Sequence, residues 1–160
     1  MTRKIGAYST VLTATPAVDT GAYTSGDLIG AAEIVLPLAV RSDGLKEASG
    51  IIQAVIATDL ADNSANMDVY FFDRELTNTT FTDNAPWDVS DIDLLTLIGV
   101  AALTDHRSLN DNSNSQLLNI GLPFVLPATS AILYAVLVSK ATPTFATSSD
   151  LTLRVAILQD

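Results

Sequence analysis

The chain has 160 residues, of which 48% are apolar, with a formal net charge of −10 and no cysteine. This length fits a single domain that buries roughly 70% of its surface, and the lack of cysteine excludes disulfides, thiolate nucleophiles and cysteine-based zinc sites. Nucleic-acid binding needs a basic face, whereas the eight Lys and Arg residues are scattered apart from Arg3 and Lys4, so we expect no nucleic-acid partner.

The composition favours strands over helices. Asp outnumbers Glu fifteen to three, and there are eighteen Thr residues. Asp promotes turns, and the β-branched Thr favours extended backbone. Apolar runs separated by turn signals predict about eight strands. In chain order they are Ala7–Ala14, Glu33–Val40, Gly50–Asp59, Met67–Asp73, Ile98–Leu103, Gln116–Leu126, Ile132–Lys140 and Leu151–Gln159.

Proline and polar runs add detail to this pattern. Pro37 cannot donate a hydrogen bond to a ladder, so its strand is predicted to lie at a sheet edge or to contain a bulge. Gly121 and Pro123 predict a kink that divides Gln116–Leu126 into two pieces. The Thr-, Asn- and Asp-rich segments Thr77–Trp87 and Thr104–Ser115 are predicted as long loops.

One helix is predicted, near residues 90–96. Asp88 or Ser90 can cap it, and Ile92 and Leu95 supply a short apolar stripe. Eight short strands with a single small helix are typical of an antiparallel β-sandwich, and we predict a jelly roll. We expect residues 1–16 to form an N-terminal arm or edge strand, and residues 17–160 to form one β-sandwich domain.

Several strands are apolar on both faces, which indicates that their outer faces are covered. In Ile132–Lys140, Leu133 and Leu137 lie on one face, with Tyr134 and the valines on the other. Because large exposed apolar patches are rare on monomers, we predict a homo-oligomer. The alternative is that the helix and the long loops cover these faces. The predicted subunit contacts are Ile52, Ile56, Leu133 and Leu137.

The sequence contains no recognisable catalytic set. Its single histidine, His106, lies in a polar segment near Ser108, and residues so close in sequence rarely provide the geometry of a hydrolytic triad. We therefore expect no enzymatic activity and no cofactor.

Two groups of residues suggest binding sites. Asp83, Asp88, Asp91 and Asp93 surround the predicted helix start, where oxygen ligands can hold calcium. Capping and compensation of the helix dipole explain these acids more simply, so we predict no metal site; the oxygen-rich run 110–115 has the same weak basis. The second group is aromatic and can stack on sugars, although core packing accounts for most of it. It comprises Tyr23, Tyr70, Phe81 and Trp87.

Five segments of the chain form a recognisable series. They are GAYTSGDLIG (21–30), VYFFD (69–73), TFTDNA (80–85), NIGLPF (119–124) and DLTLRVAILQD (150–160). In this order and spacing, from about Ala17 to the last residue, they resemble small structural proteins encoded in tailed-bacteriophage genomes. Because the motifs are structural, the resemblance implies a role in the virion and no catalytic residues.

The role implied by this resemblance is capsid decoration, in which a cement protein binds the outer capsid surface and stabilises it. Its expected partners are copies of itself, as a homotrimer, and the major capsid protein. Arg3 and Lys4 lie in the arm expected to contact the capsid or a neighbouring subunit. A head-fibre, tail or baseplate component is the first alternative, and a carbohydrate-binding jelly-roll module is an alternative of another class.

The same resemblance implies location on the virion after synthesis in the host cytoplasm. No apolar run approaches the ~18 residues of a membrane-spanning helix, and MTRKIG lacks the apolar region of a signal peptide. We therefore expect no membrane partner.

Overall fold

The computed structural model describes residues 8–38, 48–128 and 130–159. Within these residues, nine strands form two antiparallel sheets that pack face to face, and one short helix lies between the fourth and fifth strands. In chain order the elements are β1 (Tyr8–Ala14), β2 (Leu28–Pro37), β3 (Ser49–Asp59), β4 (Met67–Phe72), α1 (Asp91–Leu94), β5 (Leu97–Leu103), β6 (Asp105–Ser108), β7 (Ser113–Val125), β8 (Ile132–Ser139) and β9 (Leu151–Gln159).

The strand order identifies the sandwich as a jelly roll. One sheet has the order β1-β9-β3-β7-β6 and the other β2-β8-β4-β5. The pairings are nested: β1 pairs with β9, β2 with β8, β3 with β7 and β4 with β5, all antiparallel. Such nesting is a long hairpin wound into two Greek keys. The predicted fold class is confirmed, including the short helix near residues 90–96.

The core lies between the two sheets and is filled by alternate residues of each strand. β9 shows the alternation most clearly, because Leu151, Leu153, Val155 and Ile157 are at most 1% exposed. The opposite side chains of β9 are half-buried or exposed. Phe71, Ile52, Val69, Leu133 and Leu137 join the same cluster of buried side chains.

Three of the predicted subunit contacts are therefore wrong. Ile52, Leu133 and Leu137 are each 0% exposed within a single chain, so no partner reaches them while the sandwich is folded. In β8 both faces are apolar, and alternation cannot tell which one faces inward. In β3 a register shift between Ile52 and Ala54 interrupts the alternation of side chains between the two faces. As a result Ile52 and Val55, although three residues apart, both point inward.

The strands agree with the prediction at Pro37 and differ from the predictions at two other places. Pro37 lies on β2, an edge strand with a register shift, as its proline predicts. The predicted loop 104–115 is instead the β6–β7 hairpin. The predicted division of 116–126 is replaced by one continuous strand, β7, in which Asn119 and Gly121 have φ of 58° and 64° opposite the β3 shift.

The helix forms where predicted, but the side that faces the protein is not the predicted one. Ser90 caps it by accepting from the backbone N–H of Asp93. The predicted apolar stripe faces outward, with Ile92 64% and Leu95 87% exposed, while Asp93 is 3% exposed. No described helix is long and apolar enough to span a membrane.

Candidate functional surfaces

The outward side of the five-stranded sheet carries a continuous apolar surface, which we call the outer face. A single register row crosses four strands through Val11, Ala156, Ala54 and Leu118. Val11 is 59% and Leu118 50% exposed. Four small or branched apolar side chains thus stand side by side, and no described residue covers the outermost two.

The neighbouring rows extend this surface in one direction only. On one side of the row lie Leu158, Ile51 and Pro123, which are directly paired, and beyond them Val125 is 61% exposed. On the other side Ile56 pairs with Arg154 and Gln116. The outer face therefore passes from apolar to polar along the strands.

Charge is almost absent from the outer face. On β1, β9, β3 and β7 its only charged residue is Arg154, because Asp59 is buried at the end of β3. Asp105 and Arg107 on the neighbouring edge strand β6 pair with each other. In a chain with a net charge of −10, this is the surface on which two copies meet with the least repulsion.

The outer side of the four-stranded sheet is covered by residues 73–90, which we call the loop layer. Leu76, Phe81 and Trp87 pack there against outward-facing side chains of β4 and β8. Trp87 lies 4.8 Å from Tyr70 and 6.3 Å from Phe72 between ring centroids, edge to face in both cases. The predicted alternative, that loops cover apolar faces, is thus confirmed for this sheet.

Most aromatics proposed for sugar stacking serve the fold. Tyr23 is 1% exposed, packs on Phe145 and donates to Asp83. Burial, together with the hydrogen bond to Asp83, raises the pKa of the Tyr23 hydroxyl above its ordinary value. Only Trp87 both belongs to the loop layer and lines a cavity.

Two carboxylates, those of Asp83 and Asp93, hold the loop layer in place. Asp83 accepts hydrogen bonds from the Tyr23 hydroxyl at 2.7 Å and the Gly30 N–H at 2.8 Å. Asp93 accepts from the Asn78 backbone N–H, the Asn78 side chain and the Thr79 hydroxyl. These bonds connect segments that share no regular secondary structure.

Asp93 makes the loop layer sensitive to acid. Burial acts to raise the pKa of its carboxyl, but the bonds from Thr79 and Asn78 outweigh burial and lower it. A folded-state pKa below the unfolded value stabilises the protein above about pH 4, and this contribution is lost as the pH falls through the folded pKa. We expect Asp93→Asn to lower the free energy of unfolding by about 2 kcal/mol at pH 7, measured by urea denaturation.

The matched control is Asp91→Asn, an exposed carboxylate in the first turn of the same helix. It is expected to change the free energy of unfolding by less than about 0.5 kcal/mol. The cost of Asp93→Asn should shrink as the pH falls below the ordinary Asp range and through the lowered folded-state pKa of Asp93, because the native carboxylate then becomes protonated itself. A cost that stays constant over the whole acid titration would show that its charge is irrelevant.

His106 and Ser108, the two residues weighed against a hydrolytic triad, are not hydrogen-bonded to each other. His106 lies on β6 and contacts the Ser115 hydroxyl and the Asn66 side chain, whereas Ser108 donates to Asp62. Ser115 is 4% exposed, so a substrate carbonyl cannot reach its oxygen without opening the sheet. Within the described residues no three His, Asp or Glu side chains are grouped to hold a metal ion.

The remaining predicted contact residues have separate outcomes. Ile56 is half-buried on the outer face, where its role as a subunit contact stays a prediction. Arg3 and Lys4 lie outside the described residues. Sequence reasoning missed Val11, Leu118 and Val125, because an exposed apolar residue cannot be told from a buried one by composition.

Known protein families and curated proteins give no match for this chain, whereas solved structures do. No protein-family model matches the chain, and no curated protein matches it. Among solved structures, the chain is similar to the X-ray structure of tomato aspermy virus, with 11% sequence identity, coverage of 99% of this chain and 80% of that chain, and a TM-score of 0.43. At this score the similarity supports no inference, and the jelly roll is assigned from the strand order.

Proposed function

We propose that this chain is a non-enzymatic structural protein of a bacteriophage virion that binds the outer capsid surface and stabilises it. In this proposal it self-associates as a homotrimer and contacts the major capsid protein. The observation that carries the proposal is the outer face, whose central row of Val11, Ala156, Ala54 and Leu118 is apolar across four strands. The motif resemblance to phage structural proteins supports the virion setting.

The dimensions of the outer face suit a subunit contact. Four strands spaced about 4.8 Å apart, over seven or eight residues of about 3.3 Å each, give on the order of 500 Å² of flat sheet. The accessible surface of the projecting side chains is larger, and a standard interface buries about 800 Å² on each partner. A second copy of this chain is therefore the occupant we assign to this face.

A decoration protein also needs a contact with the capsid that is separate from its contact with copies of itself. The exposed apolar group at α1, formed by Ile92, Leu94 and Leu95, lies in the connection between β4 and β5, which belong to the other sheet. We assign this group to the capsid contact. The loop layer and α1 together carry six acids and one arginine over residues 73–93, and packaged DNA repels such a surface, which favours a position outside the shell.

The test is quantitative mass spectrometry of gradient-purified virions of the phage that encodes this chain. We expect a copy number comparable with that of the major capsid protein. A few tens of copies would instead indicate a head-fibre, tail or baseplate component, and absence from the particle would overturn the proposal. As a second measurement, adding the protein to stripped, expanded capsids is expected to raise their melting temperature by mass action.

A further inference from the structure

The loop layer contains a cavity of about 380 Å³ beside Trp87. Its lining is mixed: five residues are polar, and Leu28, Ala85, Pro86 and Trp87 add apolar surface. This volume falls within the range of about 300–1,000 Å³ that small-molecule sites occupy. The polar lining residues are Asn78, Thr80, Thr82, Asp88 and Ser90.

Several polar groups of this cavity lack partners. The side chains of Thr80, Thr82 and Asp88 make no hydrogen bond to another described residue. The Nε1–H of Trp87 is buried and has no acceptor, an arrangement that costs about 1–3 kcal/mol and is uncommon in folded proteins.

The walls of the cavity are held in place by the fold. On one side Asp93 accepts from the backbone of Asn78 and the hydroxyl of Thr79. On the other side the backbone N–H of Trp87 donates to the Gly26 carbonyl at 3.0 Å, and the backbone N–H of Leu28 donates to the Ala85 carbonyl at 2.8 Å. A ligand entering this site therefore does not have to order the loop, which lowers the cost of binding.

The lining selects the chemistry of the ligand. One carboxylate, three hydroxyls and one amide can each bond to hydroxyl groups, and the indole offers apolar surface to C–H groups. The acidic loop layer disfavours anions, and a single lining carboxylate is a poor site for a divalent cation, which prefers several oxygen ligands. We propose that this cavity binds a neutral polyhydroxylated ligand, such as one sugar unit of a glycan.

The chain provides its own reporter, because Trp87 is its only tryptophan. The full-length protein is titrated separately with D-glucose, D-galactose, D-mannose and N-acetyl-D-glucosamine. Intrinsic fluorescence and the indole ¹H–¹⁵N resonance are followed. We expect at least one sugar to shift both signals with a dissociation constant on the order of 1 mM. Asp88→Asn should weaken that binding about tenfold.

The matched control is Asp91→Asn, which removes a nearby exposed carboxylate that does not line the cavity; it should leave binding unchanged. Thr82→Val provides a second lining variant and is expected to weaken binding. The proposal fails if no sugar shifts the Trp87 signals up to about 100 mM. It also fails if Asp88→Asn and Asp91→Asn weaken binding equally, or if only calcium chloride or inorganic phosphate shifts the signals. Each result is independent of the copy number in virions.

Discussion

Leu118→Asp is expected to dissociate the proposed oligomer. The substitution places a carboxylate at the β7 end of the apolar row, where Leu118 pairs with Ala54. Burying an unpaired charge between two copies costs several kcal/mol, so the dissociation constant should rise about 100-fold or more. Light scattering after size-exclusion chromatography checks this result: the native protein should have three times the 16.9 kDa mass of one chain, and the variant one chain mass.

Leu60→Asp is the matched control. Leu60 is 56% exposed, comparable with Leu118 at 50%, but it follows the end of β3 and lies off the outer face. We expect Leu60→Asp to keep the native mass. If the native chain is monomeric throughout, or if Leu118→Asp leaves the mass unchanged, the outer face is not the subunit contact.

Leu137→Ala is expected to lower the free energy of unfolding by about 3–5 kcal/mol. Leu137 is 0% exposed and stands between Ile29 of β2 and Val69 of β4. Truncating it removes buried contacts and leaves a cavity in the core. Urea denaturation in the Leu118→Asp background measures this cost without a contribution from oligomer dissociation.

The same measurement distinguishes whether Leu137 is a core residue or a subunit contact. A side chain that only contacts a partner contributes little to the stability of a monomer, so a cost below about 0.5 kcal/mol would restore Leu137 as a subunit contact. Leu60→Ala, at an exposed position, is the control and should stay below that value.

The fold class could be predicted from the sequence, whereas the direction in which the strands face could not. Strand composition and turn spacing sufficed for two antiparallel sheets. β8 has apolar residues on both faces, because one covers the core and the other lies under the loop layer. Periodicity therefore has no polar face by which to orient this strand.

Polar strands and buried acids were the other limits of prediction. β6 is a short edge strand of Asp, His, Arg and Ser, which resembles a loop in composition because neither of its faces enters the core. Asp93 is buried because donors from Asn78 and Thr79, fourteen to fifteen residues earlier, meet its carboxylate. Hydrogen-bond partners so distant in sequence do not appear in any local sequence pattern. The packing of Trp87 on β4 could not be predicted for the same reason.

The position of β9 between β1 and β3 has a consequence for how the chain folds. Three strands of the five-stranded sheet come together only through β9, which follows the other described strands in the chain. Until Leu151–Gln159 leaves the ribosome, β1 lacks its β9 partner and one edge of β3 stays open. Pairing over such sequence distances is slow, and open apolar strands aggregate. This sheet should therefore close only after β9 has been synthesised, with a yield that depends on how long nascent chains wait for that strand.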